Sequence, residues 1–267
     1  MNEGVLGVDF SGASAAGDAL WVTEATLTPR GLRVDECYRA SDRWGSDREA
    51  AHAGLRERIT DDDIGTVGMD FPFSLPQTVL DAQCRGTWTG LLEWLGGTEG
   101  PNDPRSFSQR CRETAEMTAE KRDVRRETDL RRGALCPYTN RTRSMTFYGV
   151  RDVLGRLAER DDTAVVPIQD ETAETTTRVC EVYPAATFSW LGCYREGYKN
   201  VEGARDRRSE NVDAVSDCSV LVGAHRRQYL DNHDALDSLA AAVTTARVAD
   251  GARPTPAGPV TEGCIHV

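Results

Sequence analysis

The chain has 267 residues, enough for one large α/β domain or two small ones and for a core that needs no disulfide staples. Hydrophobic residues make up 39% and charged residues 28%, which excludes wholesale disorder. No stretch approaches the roughly 18 uninterrupted apolar residues of a membrane-spanning helix, so no membrane partner is expected. The net charge of −11 does not exclude nucleic acid, because in molar salt the screening length falls to about 3 Å and charge no longer acts at range.

The first ten residues, MNEGVLGVDF, place an acid before the apolar run. They have no basic flank or small-residue cleavage site, so they do not read as a signal peptide, and the expected location is the cytoplasm. Segment 5–10 is a short apolar run, 19–27 is rich in β formers, and 32–38 alternates apolar with charged residues. With Gly-containing turns between them, these predict three strands in a meander. Ser46 followed by Glu49 has the form of a capping box, and Ala50, Ala53 and Leu55 begin an apolar stripe, which predicts a helix. Segment 66–71 returns as a strand and is stopped by Pro72. From about 77 to 176 the pattern is irregular and then helical, with a strongly charged stretch over 113–132; this predicts a large helical insertion within a single domain. Segment 178–183 predicts a fifth strand, ended by Pro184. After a mostly polar region, 233–248 predicts one helix with Leu236, Leu239, Ala240 and Val243 on one face. The tail beyond Gly251, with Pro254, Pro256 and Pro259, is expected to be non-helical. The class these elements define is α/β with a five-stranded mixed sheet.

Two strands end in a carboxylate. Asp9 closes VLGVD and Asp70 closes TVGMD, and a carboxylate at the end of an apolar strand is costly to bury, so it faces solvent, a partner or a cation. If the first and fourth strands lie side by side and parallel, as a right-handed crossover places them, both carboxylates emerge at one sheet end. They repel there unless a cation neutralises them, and Mg²⁺ or Mn²⁺ suits an all-carboxylate site. The plainer alternative for each alone is a cap after a strand. Asp234 and Asp237, three apart, project from one side of the closing helix. Complementing the helix dipole explains Asp234 well, whereas Asp237 lies a turn deeper among apolar residues. Glu181, inside VCEVYP, either faces solvent or points to the same cluster. His233 is either an exposed residue at a helix start or a proton shuttle.

Of the 32 basic residues only Lys121 and Lys199 are lysine, leaving 30 arginines. An acidic surface so poor in lysine resembles those of proteins from salt-loving microbes, and a GC-rich genome replacing Lys by Arg is the bland alternative. The eight cysteines form no CxxC pair, and no His stands at zinc-finger spacing, so scattered buried thiols are expected and not a zinc site. Between residues 105 and 143, ten arginines and Lys121 face six acids, a local charge of +5. Arg131, Arg132, Arg141 and Arg143, near Tyr138 and Phe147, have the chemistry to grip phosphates and stack on bases. The alternative is a surface helix laced with pairs such as Glu127 with Arg131.

The stretches GVDFSGA, GMDFPFSLP, EVYPAATF and HDALDSLAAAV, in that order, resemble the predicted nucleases of the domain of unknown function 429 family, which is assigned to the ribonuclease H-like fold. The closing helix is also similar to the last motif of Holliday-junction resolvases. The resemblance implies a three-layer fold and a two-metal site. Asp9 then matches the first-strand aspartate that bridges two ions, Asp70 the acid of the fourth strand, and Asp234 and Asp237 the closing-helix acids, one of which binds the second ion. Glu181 matches a motif to which the resemblance assigns no role. The long middle segment has no counterpart in the simple ribonuclease, so substrate choice does not carry over. The leading expectation is a Mg²⁺/Mn²⁺-dependent phosphodiesterase acting on DNA or RNA with catalytic Asp9, Asp70, Asp234, Asp237 and Glu181. One competitor is an actin- or sugar-kinase-like phosphotransferase, against which stand a single core and the lack of a P-loop. The other is a catalytically silent nucleic-acid or protein adapter.

Overall fold

The computed structural model describes residues 3–253 and 255–267, so the expectation for the tail at Pro254 lies outside the described residues. Strands β1 (Glu3–Asp9), β2 (Trp21–Thr28) and β3 (Gly31–Arg39) form the expected meander, each antiparallel to the next. Helix α1 (Arg48–Ile59) then carries the chain to β4 (Ile64–Asp70), which lies parallel to β1 as the crossover rule requires. The helix starts one residue later than its predicted capping box. Asp47 caps it, accepting from the Glu49 and Ala50 amides, while the Ser46 hydroxyl is taken up by Asp18. Its buried face is Ala51, His52, Gly54, Leu55 and Ile59, so the stripe expected through Ala50 and Ala53 is displaced by one position.

Among the described residues the sheet has eight strands, not five. Beyond those expected it contains β5 (Thr163–Val166), from inside the predicted insertion, and two two-residue strands, β7 (Val220–Leu221) and β8 (Ile265–His266). Strands so short carry no readable alternation, and β5 is visible only through its pairing with β6 (Thr177–Val182), the strand expected at 178–183. The order is β5-β6-β4-β1-β2-β3-β7, with β8 also on β6, and β2 alone runs antiparallel to its neighbours.

Six α-helices separate β4 from β6: α2 (Gln77–Gln83), α3 (Trp88–Gly96), α4 (Pro104–Ala119), α5 (Glu127–Arg132), α6 (Arg143–Tyr148) and α7 (Gly155–Leu157), the last two joined through a π-wound turn, Gly149–Leu154. Their apolar side chains share one core with the sheet, so Phe107, Phe147 and Val150 pack in the same cluster as Leu6, Val8 and Met69. The opposite sheet face is covered by α8 (Pro184–Trp190), α9 (Ala204–Asp217), α10 (Arg226–Asp231) and α11 (His233–Ala249). Six of the eight cysteines are buried in these layers. Among the described residues no helix is long and apolar enough to cross a membrane.

Helix α11 is walled in by its neighbours. Every residue from Ala235 to Ala246 is buried, because the sheet lies on one side of the helix and α8, α9 and α10 on the others. Its small residues let it lie directly on two glycines. A Cβ on Gly7 would stand 2.1 Å from the Ala242 amide nitrogen, and one on Gly68 2.1 Å from Thr245 Oγ1. That close approach brings the first turns of α11 over the ends of β1 and β4.

Candidate metal centre

Asp9 and Asp70 are paired residues at the ends of parallel β1 and β4. Paired positions on adjacent strands lie about 4.8 Å apart. Strand alternation puts both on the face of Gly7 and Gly68, the face on which α11 rests. At the start of α11 the Asn232 side chain caps the helix by accepting from the Asp234 and Ala235 amides. This fixes His233, Asp234 and Asp237, whose ligand atoms all lie within 4.8 Å of one another. His233 Nδ1 is 2.6 Å from Asp234 Oδ1 and its side chain is 23% exposed, so it is not the freely exposed residue at a helix start that the plainer reading expects.

The four aspartates strain against one another. Burial raises the Asp9 carboxyl well above its ordinary range, and Asp237, Asp234 and Asp70 push it further. Burial, followed by Asp237, pushes Asp70 up to about 8. Asp237 is 1% exposed and is raised by burial, with Lys199 and Tyr198 working in the opposite direction. The Tyr198 hydroxyl donates to Asp237 Oδ1 at 2.8 Å, and Lys199 Nζ lies 2.7 Å from Oδ2. Burial works against the Lys199 charge, but Asp237, Asp9 and Asp70 outweigh it and hold the ammonium protonated. Arg208 fixes this loop by donating to the carbonyls of Tyr198 and Lys199. Lys199 does not stand out in the pattern of acids, yet the sequence holds a signal for it: it is one of two lysines beside 30 arginines. One ammonium faces three carboxylates, and Asp234 has the His233 imidazole beside it. The donors left over, carboxylate oxygens with one imidazole nitrogen, are those that hard divalent cations take.

Glu181 belongs to a different network. It is the register partner of Met69, and so points to the other face of the sheet from Asp70. There it meets Arg126, which is fully buried. All five N–H donors of that guanidinium are used: on Asp129 at 3.0 and 2.6 Å, on Glu181 at 2.7 and 2.5 Å, and on the Glu262 carbonyl at 3.1 Å. Glu181 Oε2 also accepts from the Phe73 amide. Burial pushes the Glu181 carboxyl up and Arg126 opposes it. With its oxygens occupied, Glu181 braces the cavity wall and does not join the aspartates.

The basic residues of the middle segment scatter. Of the four arginines expected to grip phosphates only Arg141 lines the cleft that also holds Asp9 and Asp70; Arg126 lines it too, but with its guanidinium taken up by Glu181 and Asp129. Arg143 bonds Asn140 and faces a separate groove with Arg105, Arg112 and Arg122. Arg131 is exposed on α5, and the carbonyl of Arg132 is held by Arg195. Tyr138 offers no stacking surface, because it is wholly buried and its hydroxyl accepts from the Val124 amide. The ion pair of α5 is Arg126 with Asp129 in place of the expected Glu127 with Arg131.

The molecule is thus an α/β protein with a mixed sheet whose central strand ends carry an under-neutralised carboxylate cluster. A family model described as "Protein of unknown function (DUF429)" matches residues 7–261, and the chain belongs to that family. Comparison with curated proteins and with solved structures finds no match.

Proposed function

We propose that this protein is a metal-dependent phosphodiesterase, a nuclease of ribonuclease H-like fold that hydrolyses DNA or RNA at Asp9, Asp70, Asp234 and Asp237 with two Mg²⁺ or Mn²⁺ ions. The observation that carries the reading is the charge imbalance: four carboxylates crowd one corner and Lys199 is the one ammonium among them. Crowded acids of this kind are costly without cations and become useful with them. The fold part of the proposal is supported by the sequence of strands β3-β2-β1-β4-β6, by β2 alone running backward, and by α11 lying across β1 and β4.

Bound divalent ions supply Lewis acidity at a scissile phosphate and a water nucleophile at neutral pH. The residues of the chain do the rest. Asp9, whose charge is opposed by Asp237, Asp234 and Asp70 together, would be a ligand of the ions. Asp70, its register partner, would serve with it, and Asp234 would serve with His233 beside it. Tyr198 orients Asp237. Lys199 keeps a positive charge at the edge of the cluster, where it offsets the charge of an entering phosphodiester. The partly exposed imidazole of His233 is placed to pass a proton between the site and solvent. A silent adapter would have no use for so many unbalanced acids.

The test is Mn²⁺-dependent cleavage of labelled hairpins, junctions, hybrids and single strands at high KCl, comparing the native protein with Asp9→Asn and Asp70→Asn. A loss on the order of 10³-fold is expected from either change. Cleavage that survives both overturns the proposal. Metal uptake with no turnover on any substrate points to the adapter, and binding of nucleotides alone to the kinase-like alternative.

A further inference from the structure

We infer that the cleft beside the acid cluster is a pocket for one unpaired nucleobase, so that the site acts on single-stranded or locally opened nucleic acid; this rests on the phosphodiesterase reading above. Asp9 and Asp70 line a cavity of about 240 Å³ together with Leu135, Arg141 and Met145 of the middle segment and Tyr183 beyond β6. Ligand pockets run from about 300 Å³ upward, so a space this small suits one base and not a base pair.

Two features of the mouth go unused in folding. Leu135 is 45% exposed although it is a large apolar residue. Arg141 is exposed and has no ion-pair or hydrogen-bond partner among the described residues. Arg126 also borders the cavity, but its donors are all spent on Glu181, Asp129 and Glu262. An apolar surface beside an unpaired guanidinium matches the two parts of a nucleotide, a flat base and its phosphate. Strand-end carboxylates at the same cavity put the metal chemistry next to that phosphate.

Salt makes the pocket more useful. Phosphate contacts weaken steeply as ionic strength rises, whereas burial of apolar surface does not. A protein of net charge −11 gains little from long-range attraction, and a buried base gives it affinity that survives in concentrated KCl. In a duplex the base must first leave the stack, which predicts an about ten- to hundredfold preference for single strands.

The experiment uses the full chain and a short oligonucleotide carrying one 2-aminopurine, as a single strand and as a perfect duplex, with Ca²⁺ in place of Mn²⁺. The single strand is expected to bind at least about tenfold more tightly, with 2-aminopurine emission changing as its neighbours unstack. Leu135→Trp and Met145→Trp, which fill the pocket, are each expected to weaken single-strand binding about tenfold while Mn²⁺ uptake by calorimetry stays unchanged. Leu135 stands at the surface, so its variant folds even if the Met145 variant does not. Arg141→Ala is expected to weaken binding of all sequences and lower the salt slope by about one. Equal affinity for the duplex, or indifference to Leu135→Trp with Mn²⁺ uptake intact, overturns the pocket. Failure of the hydrolase reading looks different: selective binding of the single strand that the tryptophans abolish, with no cleavage in Mn²⁺, leaves the pocket standing without the nuclease.

Discussion

Two acidic networks border one cavity, and they are built on opposite terms. In the first, Glu181 and Asp129 share Arg126, every guanidinium donor is used, and the group is closed to solvent. In the second, Asp9, Asp70 and Asp237 share Lys199, whose side chain is half exposed, and Asp234 has the His233 imidazole beside it. A buried charge is tolerable when each partner is satisfied and expensive when it is not. The first network is therefore scaffolding, tying α5 to β6 and to the chain's last turn. The second keeps a deficit of positive charge that something outside the chain must supply.

Removing the cation from each network separates the two roles. Arg126→Met leaves Glu181 and Asp129 buried and unpaired, and its expected cost is about 3–5 kcal/mol in urea unfolding. Replacing all three residues of that network by apolar side chains of similar volume is expected to restore most of the loss, because a closed ion network adds little net stability over good packing.

Gly7→Ala attacks the second network through packing. Its new Cβ would strike the backbone of α11, costing about 1–3 kcal/mol by overpacking and moving Asp234 and Asp237 away from the strand ends. Mn²⁺ affinity, measured by calorimetry, falls with it. In Arg126→Met, by contrast, Mn²⁺ affinity under conditions where the protein is folded stays within a fewfold of the native value.

Asp9→Asn has the opposite sign on stability. It relieves like-charge repulsion in the metal-free protein, so a gain of about 1 kcal/mol, or about 2–4 °C in Tm, is expected while metal-dependent cleavage is lost. A destabilised Asp9→Asn protein would mean that the aspartate is a structural cap after all.

The smallest effect is a slope. Asp70, with its carboxyl near 8, binds more protons folded than unfolded, where an aspartate titrates near 4. Its contribution to the metal-free protein is thus fully present below about pH 4 and declines as pH rises toward 8. Chemical denaturation at several pH values should show that decline, and saturating Mn²⁺ should flatten it, because the ions take the place of the protons.

Much of this is legible in local pattern alone. The meander, β4, β6 and α11 announce themselves by alternation, by Pro72 and Pro184, and by a long run of small and apolar residues. Asp9, Asp70 and Asp237 stand out because each interrupts apolar surroundings, and strand handedness brings the first two together. Glu181 is equivalent to them by the same criterion. Its partner, Arg126, is 55 residues away, and no periodicity reveals a buried guanidinium.

Sequence by itself therefore determined which stretches form the central sheet and its covering helix, and which carboxylates end its strands, since these follow from the spacing of apolar residues along a few turns or pleats. Only the tertiary structure decided which acids are spent and which are left over. It also assigned Lys199 to the aspartates, Tyr138 to the core, and β5, β7 and β8 to a sheet they could not specify alone. The reason is that compensation of a buried charge depends on distance in space, and contacts between segments far apart in the chain are set by how the layers stack.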